Sequence, residues 1–357
     1  SKGKDILLIS HDLSGSGAPR VIYEMAKTLK DSGHFVVVIS PTDGPYRKEL
    51  NKLDVPVIVD ELALRQHESF YRFAKNLDLA IANTVVTWPA VKQLGGVIPT
   101  YWYIHEISLL EHLFNIQPEI SQAFSFAKKI WVGSELAGKL VMPLRPDTLV
   151  LKYGVEPVLS EFIKYTKPTL PLKISLFGSY EPRKGQDLAL LAIKELPEEY
   201  RSKIRLTMHG RILDRDFYEG LTLLADDINE VNLQEELTYD EYTSKLINSD
   251  AVLVSSRDDT LPFVSIDALG ASKILICTNT TGTSAYITDG KSGFVSLSPA
   301  PSDIAASIKN YIDNFIHHES LSTSSKIVFE ENFSVNAFTN SLLDACDLNQ
   351  KPKHEFL

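Results

Sequence analysis

Short, wholly apolar runs alternate with amphipathic stretches along most of the chain. Residues 5–10 (Asp-Ile-Leu-Leu-Ile-Ser) have the pattern of a parallel strand buried on both faces. After the segment 14–19, Val21, Ile22, Met25, Ala26 and Leu29 recur at helical spacing. Further strands are predicted near 35–40, 55–60 and 77–83, with helices over 45–52, 66–75 and 87–94. An aromatic strand ends in His105-Glu106. A long helix or helix pair over 108–127 is interrupted by Pro118, a strand runs from Lys129 to Gly133, and Ser134-Glu135 starts another helix. The proline-containing residues 157–171 read as a linker. Alternation then restarts with strands at 172–178, 204–208, 251–254 and 273–278, and residues 302–347 read as two or three helices. Strands separated by helices imply right-handed crossovers and parallel sheets, hence an α/β fold.

Composition narrows the class. The 357 residues suit two domains, and 44% hydrophobic with 23% charged residues is a globular balance. No apolar run approaches the ~18 residues of a membrane helix. Cys277 and Cys346 give neither a disulfide framework nor a zinc spacing, so a reducing cytoplasm is the expected home. The net charge of −10 is uneven: residues 1–155 carry 17 basic and 16 acidic side chains, and the remainder 19 and 30. That acidic excess argues against a nucleic-acid partner. The near-neutral first half is the side expected to approach a membrane peripherally, or an anionic acceptor. The apolar residues of 108–127 cover more than one face, which suits packing on the sheet or a lipid-facing surface. The opening Ser-Lys-Gly, with a strand following at once, raises the expectation of a segment of a longer polypeptide with other domains.

The stretch 250–270 carries the most chemistry. A buried strand (Ala251 to Val254) leads through a polar turn into a helix beginning near Pro262, proline being tolerated at the first helical position. Asp259 lies in the turn and Asp267 about five residues into the helix, so two carboxylates stand roughly one to two turns apart. They can hold hydroxyls at two points of an extended polyol, while first-turn amides suit an anion between them. An N-terminal cap and a solvated helix residue would give the same spacing. The glycines of 14–19 let backbone approach a ligand, or simply form a tight turn. They do not satisfy the dinucleotide fingerprint, and a nicotinamide-dependent oxidoreductase fails on that count.

The order of strand, Ser-Ser-Arg-Asp-Asp, Leu-Pro-Phe, acidic residue and Ala-Leu-Gly resembles the donor-site motif of the retaining glycosyltransferases of family 4. There the two acidic residues are usually glutamates; Asp259 and Asp267 are each one methylene shorter. Other segments resemble the same family in the same order. Gly17, Ala18 and Arg20 stand in its glycine-rich first loop. His105 ends the strand whose histidine reaches the donor sugar or its phosphate. Tyr153-Gly154-Val155-Glu156 replaces its asparagine-glycine-valine-aspartate. Lys184-Gly185 matches the lysine-glycine whose lysine contacts the donor phosphates; the usual arginine is Ser179 here, and Arg183 is the candidate second cation. His209-Gly210-Arg211 and Leu237 to Tyr242 resemble the segments beside the nucleotide base. Gly282 remains of a phosphate loop that commonly ends in glutamate, and Asp289 to Val295 resembles the closing turn.

The resemblance implies a GT-B fold of two Rossmann-like domains facing a cleft, divided as 1–156, a linker at 157–171, 172–333, and a helix and tail at 334–357 returning to the first domain. It implies a retaining transfer of sugar from a nucleoside-diphosphate donor to a glycan or lipid-linked acceptor hydroxyl, with bacterial surface polysaccharide as the setting. Lys184, Asp259 and His105 would be catalytic. Gly17, Arg183, Lys184, Asp259, Pro262, Phe263, Val264, Asp267 and Gly282 would bind the donor. No metal and no cofactor is expected. Two other readings stay open: a catalytically silent sugar-nucleotide-binding or scaffold domain, and a GT-B sugar-nucleotide epimerase.

Overall fold

The computed structural model describes residues 3–158 and 165–349, so part of the linker read at 157–171 and the end of the tail fall outside them. The chain forms two compact units. One comprises the residues up to Gly154 together with those from Val335 onward, and the other spans Val155–Ser334.

In the first unit seven strands run parallel: β1 (Asp5–Ile9), β2 (Phe35–Ser40), β3 (Val57–Val59), β4 (Leu79–Asn83), β5 (Thr100–Ile104), β6 (Lys129–Val132) and β7 (Leu149–Val150). Their order in the sheet is β3-β2-β1-β4-β5-β6-β7. Leu7 is in register with Val37 on one side and Ala80 on the other, which fixes β1 at the centre. The central strands are buried on both faces, and this explains their unbroken apolar runs. Strand β3 keeps only three half-exposed residues of the expected 55–60, as an edge strand does. Of the helix or helix pair expected over 108–127 the structure has the pair, Ser108–Ile116 and Glu119–Ala123, parted at Gln117-Pro118. Leu110 and Ile120 are buried in the core while Leu109 and Ile116 are exposed, so the stretch serves packing and also presents apolar side chains to solvent.

The second unit carries β8 (Leu172–Phe177), β9 (Ile204–His209), β10 (Val231–Gln234), β11 (Ala251–Val254), β12 (Ile274–Thr278) and β13 (Phe294–Ser296), all parallel in the order β10-β9-β8-β11-β12-β13. The edge strands β10 and β13 and the helix Arg215–Ala225 have no counterpart in the sequence reading. Each sheet reverses its winding once, between β1 and β4 and between β8 and β11. Ligands of open α/β sheets bind beyond the carboxyl ends of strands at such points.

The helix Val335–Ala345 belongs to the first unit, as the fold reading requires. The buried Tyr101 hydroxyl donates to the Cys346 carbonyl at 2.9 Å. Asp347 accepts ion pairs from Lys128 at 2.9 Å and Lys129 at 2.7 Å. Partial burial works to raise the Asp347 carboxyl, but the hydrogen bonds and charges of the two lysines outweigh it and bring it down to about 2. A carboxyl lowered on folding stabilises fully above its unfolded value of about 4, and that contribution is lost as pH falls through the folded value. Asp347→Asn should therefore speed amide exchange across residues 335–345 about fivefold at pH 7, equivalent to about 1 kcal/mol. The difference should shrink between pH 4 and 2. An unchanged exchange rate at pH 7 would remove the ion pairs from the account of how this helix is held.

Candidate active site

The carboxyl ends of β8, β11 and β12 bring together four of the residues singled out in the sequence. Lys184, Asp259, Pro262 and Val264 line one hollow, with Phe177 and Ser255 beside them. Strand β8 runs into a turn containing a short 3-10 segment, Pro182–Lys184, and Gly185 then starts the helix Gln186–Glu195. Gly185 is in the left-handed region at φ +66°, and a Cβ there would stand 2.1 Å from the Ser255 carbonyl oxygen. Glycine is needed twice over: for the backbone conformation, and for the close approach of this turn to the one after β11.

Across that approach the Lys184 Nζ donates to Asp259 Oδ2 at 2.5 Å, and Arg183 Nη1 lies 3.5 Å from the same oxygen. Burial pushes the Asp259 carboxyl up, and the charges of Lys184 and Arg183, with hydrogen bonds from Lys184 and Ser256, more than reverse it. The carboxylate is thus ionised, below its ordinary range. Arg183 also meets Glu181 Oε1 at 3.2 Å, and Ser179 Oγ donates to that oxygen at 2.8 Å. Two cations from one turn therefore meet carboxylates from both turns. A diphosphate arriving here would exchange carboxylate partners for phosphate oxygens.

The backbone of Asp259 ties in a third loop. Its N–H donates to the Thr280 carbonyl at 3.1 Å, and its own carbonyl accepts from the Gly282 N–H at 2.8 Å. The Gly282 amide, expected to face phosphate, is thus engaged inside the protein. Pro262 is the extended N-cap of the helix Phe263–Gly270 rather than its first residue, and it has no N–H to offer. The first-turn amides are those of Phe263 and Val264, ahead of the first turn bond from Ser265 N to the Pro262 carbonyl.

Asp267 is buried and accepts from the Tyr242 hydroxyl at 2.8 Å. Tyr242 lies on the helix Tyr239–Ile247, whose start is fixed by a reciprocal capping box between Thr238 and Glu241. The expected loop at 237–242 is therefore a helix start. Phe177 stacks on His209 with centroids 5.7 Å apart and meets Tyr242 edge-on at 4.9 Å. Burial, and then Lys245, keep His209 neutral by lowering its pKa. Asp259 thus meets two cations, while Asp267 accepts from a tyrosine hydroxyl.

His105 and Gly17 lie in the first unit. Asn83 donates its amide to the Ala18 carbonyl at 2.9 Å, so its carbonyl oxygen accepts from His105 Nε2 at 2.6 Å, which places the imidazole proton on Nε2. Burial, with the nearby His11, lowers the His105 pKa to about 3, leaving a neutral ring. Tyr103 packs on it at 4.1 Å and Tyr153, the residue in place of the family asparagine, at 6.1 Å. Glu106 accepts from the amides of Val85 and His105, both at 3.0 Å, a structural role. Gly17 is the exposed first residue of the helix Gly17–Asp31. Asn83 went unmarked in the sequence, its only signal being its position at a strand end. Tyr242 and the Ser255-Ser256 pair fell inside segments quoted for the family resemblance, without roles of their own.

Comparison with known proteins fits this arrangement. Residues 160–327 match the family described as Glycosyl transferases group 1, and residues 2–135 match Glycosyl-transferase family 4. An uncharacterized glycosyltransferase of Methanocaldococcus jannaschii is 24% identical over 159 residues, 44% of this chain, and the match spans 42% of that relative's length. Among solved structures, Anabaena HepE in complex with UDP and glucose aligns with a TM-score of 0.81 at 17% identity, covering 96% of this chain and 99% of that one. A glycosyltransferase from Rickettsia africae aligns at 0.75 and 17% identity, over 96% and 97%. The lipopolysaccharide outer core galactosyltransferase WaaB aligns at 0.73 and 15%, over 97% and 99%. At these identities the structures establish the fold. The chain belongs to the group 1 glycosyltransferases, with the GT-B fold.

Two outcomes test the geometry. Lys184→Met should raise the Asp259 pKa, because burial is then opposed only by Arg183 and the Ser256 hydrogen bond; carboxyl ¹³C titration reads it, and an unmoved titration would contradict the pairing. Gly185→Ala should cost about 2–3 kcal/mol of stability in urea unfolding, through left-handed strain and the clash with Ser255. A neutral effect would contradict the close approach of the two turns.

Proposed function

We propose that the protein is a retaining glycosyltransferase that moves a sugar from a nucleoside-diphosphate donor to a hydroxyl of a glycan or lipid-linked acceptor. The observation that carries the reading is the meeting of Lys184 and Arg183 with Asp259 at a helix start beyond the carboxyl end of β11. Cleaving the anomeric C–O bond leaves negative charge on the departing diphosphate and positive charge on the sugar ring. Lys184, Arg183 and the amides at Phe263 and Val264 are preorganised for the first, and such donors in a water-poor site are worth orders of magnitude in rate. Asp259, released from Lys184 by the phosphate, orients sugar hydroxyls, and Asp267 holds the ribose. Gly17 lets the first loop approach the donor, and Gly282 supports the phosphate side through its bond to Asp259. His105, as a neutral donor or acceptor, contacts the sugar. The acceptor oxygen bonds to the anomeric carbon on the face the diphosphate leaves, and its proton passes to the leaving phosphate. These side-chain cations take the part a divalent metal plays elsewhere, so the reaction is proposed to run without one.

The names of the similar structures support the choice of probe and setting. HepE was solved with UDP and glucose, and WaaB is a lipopolysaccharide outer core galactosyltransferase. UDP-sugars are therefore the first donors to try, and a surface glycan the first class of acceptor. Among the described residues no helix is long and apolar enough to cross a membrane. Action at the cytoplasmic face of a membrane, by peripheral contact, is part of the proposal.

A thermal-shift and hydrolysis screen against UDP-, GDP-, ADP- and dTDP-sugars, in EDTA, tests it. One donor should stabilise the protein and be slowly hydrolysed, and Lys184→Ala should lower kcat/KM for that donor about 100- to 1,000-fold. Asp259→Ala should abolish turnover while leaving nucleoside-diphosphate binding within a few fold. Stabilisation without turnover, even with varied acceptors, would replace the enzyme by a sugar-nucleotide-binding domain. No stabilisation by any donor would overturn the donor site.

A further inference from the structure

Lys184 is gripped from both sides by one arginine outside the hollow. Arg257, in the turn after β11, donates from Nη1 and Nη2 to Asp187 Oδ1 and Oδ2 at 2.8 and 2.6 Å, a two-pronged pair. The same Nη1 donates to the Pro182 carbonyl at 2.5 Å, and the Arg257 backbone N–H donates to the Arg183 carbonyl at 2.8 Å. Pro182 and Arg183 precede Lys184, and Asp187 follows it in the first turn of the helix Gln186–Glu195. Ser255 Oγ adds a bond to the Lys184 carbonyl at 3.2 Å. The turn that presents the two cations is thus bolted to the turn that presents Asp259.

We infer that Arg257 and Asp187 are a positioning pair: they set the distance between the phosphate-binding cations and the sugar-binding carboxylate without touching the donor. The inference rests on the donor-site reading above. Its warrant is a mismatch of scale. The Arg257 and Asp187 side chains are 40% and 27% exposed, and ion pairs so open to water contribute little to stability. Yet this one is bidentate, its guanidinium also holds the Pro182 carbonyl, and the Arg257 backbone N–H adds a second link to the Arg183 carbonyl. Bidentate guanidinium–carboxylate pairs fix geometry as well as charge, and lysine cannot reproduce the fork. A small shift between reacting groups costs far more in rate than in stability.

The test uses the full chain and UDP, GDP, ADP and dTDP as probes, with calorimetric Kd and donor hydrolysis as readouts. Arg257→Ala and Asp187→Ala should each weaken nucleoside-diphosphate binding about threefold and lower kcat for hydrolysis about 30-fold, with the melting temperature within about 2 °C of wild type. The double variant should be no worse than either single one, because the pair acts as a unit. Arg257→Lys should recover only part of kcat. Hydrogen exchange over residues 179–187, which needs no ligand, should quicken in both single variants while the rest of the second unit is unchanged. Wild-type kcat and unaltered exchange in Arg257→Ala would overturn the pair's role and leave the donor site standing. Losses of kcat that merely track a lowered melting temperature, or that add in the double variant, would make the pair a fold element instead. Wild-type protein that binds none of the four diphosphates would overturn the donor-site reading itself; unaltered exchange would then reject the coupling of the turns independently.

Discussion

The carboxyl edge of the second sheet depends on how the Asp259 carboxylate is compensated. A charge taken out of water has to be paired, and removing one member of a buried pair generally costs about 3–5 kcal/mol. Lys184 and Arg183 supply that pairing from the turn after β8, and the Asp259 backbone carries the link on to the loop after β12. Three loops from three strands are thereby held in one arrangement before any ligand arrives. Glycine at 185 is what lets them come close enough. The same pairing engages both cations of the turn. Under the proposed reading, a diphosphate would take over the two cations and free Asp259 for sugar hydroxyls.

The two aspartates show how equal residues at fixed spacing acquire different partners. Asp259 meets two cations, and Asp267 accepts from the hydroxyl of Tyr242. The shorter side chains, relative to the family's glutamates, are accommodated differently in the two places. At 259 the cations reach in, and at 267 the tyrosine of a neighbouring helix does.

Much of this was legible in the sequence because strand ends are legible. Apolar runs closing at Phe177, Val254 and Thr278 mark where polar turns gather; Asp259 follows from its place in one such turn together with the family resemblance, and Lys184 from the resemblance at the neighbouring turn. The helix Val335–Ala345 was expected to rejoin the first domain, and it does. Other features left no periodic trace. The edge strand β10 (Val-Asn-Leu-Gln) alternates weakly because one side of it is solvent, and β13 is three residues long. An arginine in a polar turn, such as Arg257, reads as solvated until its partner 70 positions away is placed beside it. Hydrogen bonds made by backbone atoms, such as those of Asp259 and Gly282, are invisible to residue type altogether.

Hydrogen exchange of the full chain, with and without a saturating nucleoside diphosphate sugar, tests the central claim most directly. The account requires new protection at residues 179–186, 255–264 and 280–283 together, because Asp259 links the three loops through its side chain and its backbone. Protection of none of these segments, with the ligand bound elsewhere, would contradict it.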